Sequence, residues 1–325
     1  MQYRLWTAVV AVLSIVLGAT SVSAQTAKFP ERMIRIVVPF APGGGVDTLA
    51  RLLAEKMQGD LGVNVIVENR AGASGTVGGA SVQQSAPDGY TVLFSSNTQS
   101  MAKLVMANAP YDPATDFTPI ARVAHAPLLV VMSPNQSEKT LAEVAAAAQK
   151  NPDKWTAGVP ALGSPGHMAT IQFMRLSNAK LTLTPYRGTA PALTDVAGGH
   201  IQLLIDAMIV LLPMAQDNKV KALAITTPQR SKLAPNIPTT AESGMPGLGV
   251  TAWFGMWGPK GMPADVVQKL NAASTKAVKE LSDSGKLATL GIEPVTETPE
   301  AFAKFMADEV ARNGELLKSV NFQPQ

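Results

Sequence analysis

Cysteine is absent from the 325 residues. That excludes disulfides, thiolate nucleophiles and cysteine metal sites together. Histidine is scarce: His125, His167 and His200 lie far apart and show no metal-ligand spacing. Charge of one sign is also lacking. Lys and Arg number 27, Asp and Glu 24, for a net charge of +3, too weak and too dispersed to argue for nucleic acid. No short-period solenoid repeat is present. Apolar residues, in contrast, make up 46% of the chain, enough for a sizeable core in a chain whose length suits two domains or one large one.

The amino terminus reads "MQYRLWTAVVAVLSIVLGATSVSAQT". Arg4 supplies a short positive region, Ala8 to Ala19 an apolar run, and Val22-Ser23-Ala24 a small-residue cleavage site. This pattern predicts a Sec-type signal peptide over residues 1–24, with a run too short for a good membrane span. No Cys follows the cleavage site, so a lipoprotein is excluded. No later stretch reaches the ~20 apolar residues that a membrane helix needs. The expectation is a protein exported to the periplasm.

Beyond residue 30 strand and helix patterns alternate. Ile34–Pro39 is β-rich. Val46–Leu61 carries Leu49, Leu52, Leu53 and Met57 at helical spacing. Strands are expected at Val63–Val67, Thr91–Ser95 and Pro127–Met132, with a short helix over Thr76–Ser85 closed by the turn Pro87-Asp88-Gly89. The pattern restarts with an Ala-rich helix at Leu141–Lys150. Strands follow at Trp155–Val159, Leu181–Tyr186, His200–Asp206 and Val220–Thr226, with a helix from His167 to Ser177 and another after Arg187. A Pro-rich segment spans Pro228–Pro246. Thr251–Pro259 reads as a strand crossing between lobes, with Trp253 and Trp257 as core or hinge packing. Helices at Ala264–Leu281 and Pro299–Val320 close the chain, with prolines at their starts. The alternation predicts an α/β fold with parallel sheets, and the restart near Leu141 predicts two lobes.

Open α/β sheets bind ligands at the carboxyl ends of their strands. The stretch "VVPFAPGGGVDTLARLLAEKM" places a side-chain-poor loop there. Pro42-Gly43-Gly44-Gly45 lets the backbone approach a ligand closely. The following helix aims free N–H groups at the loop, which favours an anion. Asp47 reads as a helix cap whose carboxylate would repel an anion if it faced the pocket. The loop reads equally as a turn that only joins strand to helix. "ENRAGASGTVGGA" (Glu68–Ala80) and "SSNTQS" (Ser95–Ser100) sit at the ends of the next strands and offer Ser74, Thr76 and amide donors. The second half repeats the device in "PALGSPGHMAT" (Pro160–Thr170) and "YRGTAPAL" (Tyr186–Leu193). Two facing helix N-termini, near Gly43 and Ser164, would suit a ligand with a carboxylate at one or both ends. Asp206, at a strand end, would meet a cationic or hydroxyl group or serve as a turn residue. Arg187 either pairs with a carboxylate or is a solvated loop residue.

Catalytic motifs are missing. The first loop lacks the Gly-Lys-Ser/Thr of a phosphate-binding loop, and no Gly-x-Ser-x-Gly elbow occurs. Ser164 and His167 lie close in sequence, but a serine hydrolase also needs a positioned acid and an oxyanion hole. His167 reads more simply as a polar residue in a first helical turn.

Several blocks together resemble the Bug-type solute receptors of tripartite tricarboxylate transporters: "FPERMIRIVVPFAPGGGVDTLARLLAEKM", "VIVENRAGASGTVGG", "PDGYTVLFSSN", "YDPATDFTPIARVA" and "PYRGTAPALTDVAGGHIQLLID". The resemblance runs from about Phe29 to the carboxyl terminus. It implies a type II-like periplasmic binding protein fold, with two α/β lobes that close on a ligand about a hinge. Lobe 1 would comprise 25–126 plus 252–325, and lobe 2 would comprise 127–251. It also implies a non-catalytic, cofactor-free, monomeric receptor for di- or tricarboxylates, amino acids or aromatic acids. The ligand would pass to a membrane permease of one large and one small subunit, or the loaded receptor would signal through a sensor kinase; an exported hydrolase is the remote alternative. Ligand carboxylates in that family are held largely by backbone N–H groups and ordered water. By position the pocket would comprise Phe40, Ala41, Gly43, Gly44 and Asp47, then Ser74, Asn97 and Thr98, faced by Ser164, His167, Tyr186, Thr189, Ala190 and Asp206. Ala71 stands where the family commonly has Pro, and Thr76 where Asn is frequent. "SSNTQS" is not the commonest form of its loop. These departures bear on ligand identity rather than on fold.

Overall fold

A computed structural model describes residues 29–325. The expected signal segment at 1–24 lies outside the described residues. The first strand, β1 (Ile34–Val38), is almost wholly buried, as a strand covered on both faces must be. It leads through the Gly loop into helix α1 (Gly45–Leu61), which turns Leu49, Ala50, Leu53, Ala54 and Met57 inward. Next come β2 (Val65–Asn69), α2 (Thr76–Gln83), β3 (Thr91–Ser96), α3 (Thr98–Val105) and a 16-residue strand, β4 (Phe117–Met132). The middle of the chain forms α4 (Leu141–Lys150), β5 (Thr156–Val159), α5 (Pro165–Ser177), β6 (Thr182–Pro185), α6 (Thr189–Gly198), β7 (Leu203–Ala207), α7 (Met208–Gln216) and β8 (Lys221–Ile225). The chain finishes with β9 (Thr251–Pro259), α8 (Ala264–Asp283), α9 (Lys286–Thr289), β10 (Glu293–Pro294) and α10 (Pro299–Ser319).

The main strand order is β2-β1-β3-β9-β4-β7-β5-β6, with β8 and β10 also pairing β4. Pairing is parallel among β1, β2 and β3 and among β5, β6 and β7, but antiparallel wherever β4 or β9 takes part. The sheet is therefore mixed, not purely parallel as the alternation predicts. The two central strands, β9 and β4, run antiparallel to each other and to their neighbours. Strand β4 joins the two groups. Its residues Phe117–Pro127 pair with β9, and Leu128–Met132 pair with β7 and β8.

Each group has its own core. Val37, Leu93, Tyr111, Phe117, Trp253, Trp257 and Phe302 pack together in the first. Leu129, Val131, Leu193, Leu204, Met208 and Leu212 pack in the second. Trp253 and Trp257 are the packing residues expected, with ring centroids 5.9 Å apart and Phe302 against both. Near them the buried Glu309 carboxylate accepts from Asn97 at 2.7 Å and from the Trp253 indole N–H.

Several elements depart from expectation. Ser95 and Ser96 belong to β3, and a helix rather than a loop begins at Thr98. Helix α7 follows β7 directly where no helix is expected; its run "MIVLLPMAQ" is apolar on all sides and contains Pro213. Pro263 caps α8 from outside, whereas Pro299 is the first-turn proline of α10. Among the described residues, no helix is long and apolar enough to cross a membrane.

Candidate functional site

The carboxyl ends of β1, β3, β5 and β7 converge on one small cavity, as the strand-end rule predicts. One wall is Phe40 with Gly44, Gly45, Val46 and Asp47 at the start of α1, joined by Ser96 and Thr98. The facing wall is Pro160, Ala161, Ser164 and Pro165 at the start of α5, then Gly188, Thr189, Asp206 and Ala207. Ala252 and Phe254 of β9 complete it. The cavity, partly open to the surface, has a volume of about 30 Å³, room for roughly two water molecules.

The walls touch around this cavity. The Ala41 N–H donates to the Arg187 carbonyl at 2.9 Å. The Leu162 N–H donates to the Ser74 hydroxyl at 3.1 Å. A Cβ placed on Gly44 would lie 3.6 Å from Thr189 Oγ1, and one on Gly188 would lie 3.2 Å from Phe40 Cβ. Gly43 has φ +83°, a backbone state that glycine adopts without cost.

Asp47 acts differently from a simple cap. Its Oδ2 accepts from the Gly43 N–H at 2.9 Å, its Oδ1 accepts from Asn69 at 2.8 Å, and Arg51 pairs with it one helical turn later. Burial alone would raise its pKa, but the Arg51, Gly43 and Asn69 bonds together hold it below the usual carboxylate range. Its charge is thus spent within its own wall, which fixes the Gly loop and leaves the first N–H groups of α1 without intrahelical acceptors.

Ser164 caps α5, its hydroxyl accepting from the His167 N–H at 3.1 Å. His167 is fully buried, with Nδ1 accepting from the Gly163 N–H at 2.9 Å. Burial lowers its pKa to about 4, and its ring packs edge-on against Phe322. With that lone pair taken, the imidazole offers Ser164 no base, and the hydrolase geometry is not formed.

Of the fourteen residues expected in the pocket, Phe40, Gly44, Asp47, Thr98, Ser164, Thr189 and Asp206 line the cavity. Gly43 and Ala190 face each other at its edge, a Cβ on Gly43 lying 3.9 Å from Ala190 Cβ. Ala41 and Ser74 make the two bridging bonds described above. Three side chains point elsewhere. Asn97 braces Glu309 and the Trp253 N–H, His167 faces Gly163, and the Tyr186 hydroxyl donates to Asp195 at 2.6 Å. Gly45, Val46, Ser96, Pro160, Ala161, Pro165, Gly188, Ala207, Ala252 and Phe254 line the cavity without being among those fourteen. Gly45, Val46, Pro160, Ala161, Pro165 and Gly188 fall within loops or helix starts already marked by Gly and Ser, whereas Ser96, Ala207, Ala252 and Phe254 lie on strands. Alternation along β9 puts Ala252 and Phe254 on one face and Trp253 on the other, but only the strand order reveals which face meets the cavity.

Among the described residues, no Lys, Arg or His lines the cavity. Asp206 is its one carboxylate without a cation. It is 6% exposed and accepts from Thr189 Oγ1 at 2.5 Å. Burial raises its pKa to about 6, against the smaller opposing effects of Thr189 and the Ala207 N–H. A carboxyl that holds its proton more tightly in the fold contributes stability below about pH 4 that is lost as pH rises through about 6. Asp206→Asn is therefore expected to be more stable than the wild type at pH 8, by at most about 3 kcal/mol, with the difference gone near pH 4. Urea unfolding at the two pH values measures this. Equal stabilities at pH 8 would contradict it.

Fold and site define a class: the chain has the periplasmic binding protein fold. It superposes on the structure of the periplasmic binding protein BugD with a TM-score of 0.87 at 35% identity, covering 91% of this chain and 100% of that one. The family model described as "Tripartite tricarboxylate transporter family receptor" matches residues 49–322, and the chain belongs to that family. Two further solved relatives carry ligands. Rpa4515 of R. palustris, with adipate, gives a TM-score of 0.87 at 32% identity over 91% of this chain and 100% of its own. MatC of Rhodopseudomonas palustris, with bound malate, gives 0.84 at 32% over 89% and 100%.

Proposed function

We propose that this chain is an exported periplasmic receptor that binds a small organic carboxylate, without catalysing its conversion, and delivers it to a membrane permease of one large and one small subunit. The observation that carries this reading is a cavity walled by the N-termini of two long helices, α1 and α5, with no cationic side chain in its lining. Helix N-termini supply N–H groups and a favourable dipole for an anion without requiring a lysine or arginine. The adipate and malate held by relatives fit the same chemistry.

The ligand groups in this reading are the backbone of Gly44 to Asp47 at the start of α1, with Phe40, Ala41, Gly43, Ser74 and Thr98 beside it. Ser164, Thr189, Ala190 and Asp206 face them. A four- to six-carbon diacid exceeds the present cavity, so entry requires the walls to part. Lobes at 25–126 plus 252–325 and at 127–251 would part about the crossings near Pro127 and Thr251. The ligand then favours the closed form by bonding to both walls at once.

A thermal-shift panel of citrate, succinate, malate, aspartate and aromatic diacids tests the proposal. A true ligand at 100 times its Kd should add about 2.7 kcal/mol of stability. No response to any carboxylate, together with a response to a neutral sugar or a cation, would sink it.

A further inference from the structure

Asp206 is a buried acid with unused capacity. A carboxylate offers about four lone-pair sites, and among the described residues only the Thr189 hydroxyl and the Ala207 N–H donate to this one. No cation on the packed elements completes it. On α1, Asp47 and Arg51 are paired with each other. On α5, His167 is neutral and faces Gly163. On α6, Asp195 is taken by Tyr186. Arg187, on the loop before α6, is exposed. Strand β5, the Leu128–Met132 part of β4 and helix α7 carry no charged residue.

The position of Asp206 matters as much as its isolation. It lines the cavity with Thr189, and the Gly44 Cβ position lies 3.6 Å from Thr189 Oγ1 on the opposite wall. An anion seated on the start of α1 therefore has the Asp206–Thr189 pair directly across from it. A plain dicarboxylate would bring like charge toward a buried carboxylate, which is unfavourable. A ligand with an N–H or O–H donor would instead fill the vacant lone pairs.

We infer that Asp206 is a specificity-determining residue that accepts a hydrogen bond from a hydroxyl or ammonium group on the ligand, selecting hydroxy- or aminocarboxylates over plain dicarboxylates of equal length. This rests on the carboxylate-receptor reading above. Sites built to bond a ligand OH or NH reject analogues lacking it by large factors, so a preference of about tenfold or more is expected.

The test is calorimetric titration at pH 7.5 with two matched sets, succinate against malate and aspartate, and adipate against 2-aminoadipate. Wild type and Asp206→Asn are compared; Asn keeps the shape and an oxygen for Thr189. In at least one set the wild type should bind the donor-bearing member about tenfold more tightly or better, and Asp206→Asn should narrow the ratio by improving the plain diacid. A purely structural Asp206 would change all affinities together. The inference is overturned if plain diacids equal or exceed their partners in the wild type, or if the ratio survives in Asp206→Asn. Should that variant fail to fold, the wild-type ratios still decide. Absence of binding by any carboxylate would overturn the receptor reading itself.

Discussion

Gly166→Ala should cost this protein about 3–5 kcal/mol and lower its melting temperature by roughly 10 °C. Gly166 lies in the first turn of α5, where the helix crosses β7 at close range. A Cβ there would sit 1.9 Å from the Ile205 carbonyl oxygen and 3.4 Å from Pro160 Cδ. The obstructing atom is backbone within a strand paired to β4, so it cannot rotate aside as a flexible side chain would. Relief requires α5 to lift from the sheet, which also displaces Ser164 and Pro165 from the cavity wall. Gly59→Ala is the internal control. That glycine is in the last turns of α1 with nothing within 4 Å of its Cβ position, and replacing it should stabilise by about 0.4–1 kcal/mol. Urea unfolding of both variants should give shifts of opposite sign. A tolerated Gly166→Ala would mean that α5 is not seated on β7 as described.

The second large effect concerns binding. Gly44 has φ −81° and ψ 170°, extended backbone that any residue adopts, so Gly44→Val introduces no strain in the loop. Its Cβ would meet Thr189 at ordinary contact distance, but the two γ-methyls must then project into the cavity or into the facing wall. Overpacking of this kind costs about 1–3 kcal/mol. Here the cost falls on the closed, ligand-holding form, so affinity should drop by about 5- to 150-fold while the unliganded melting temperature changes little. Titration beside thermal melting separates the two. Undiminished affinity in Gly44→Val would remove α1 from the binding wall.

Much of this arrangement is legible in the residues because Gly, Pro and Ser report local backbone needs. The Pro42–Gly45, Pro160–Gly166 and Tyr186–Ala190 loops all fall at the cavity or its edge. Long-range pairing leaves no such mark. Strand β4 is interrupted by Pro119 and Pro127 and carries register irregularities against β9, so only its apolar end reads as a strand. Helix α7 is apolar on every side and has no helical period to detect. Asn97 lies in a polar cluster at a strand end, the right neighbourhood, yet its side chain turns toward Glu309, a residue 212 positions away. Asp206 is visible as a strand-end acid, but that none of the described residues lining its cavity is cationic emerges only from the packing around it.

In the proposed receptor, backbone N–H groups at two helix starts hold a carboxylate without help from a cationic side chain. The most direct measurement is calorimetric titration of the diacid giving the largest thermal shift, beside its diamide of the same length and shape. The diacid should bind and the diamide should be weaker by about 100-fold or more, because the amide lacks the charge that the helix N-termini favour. Equal affinity of the two would contradict it.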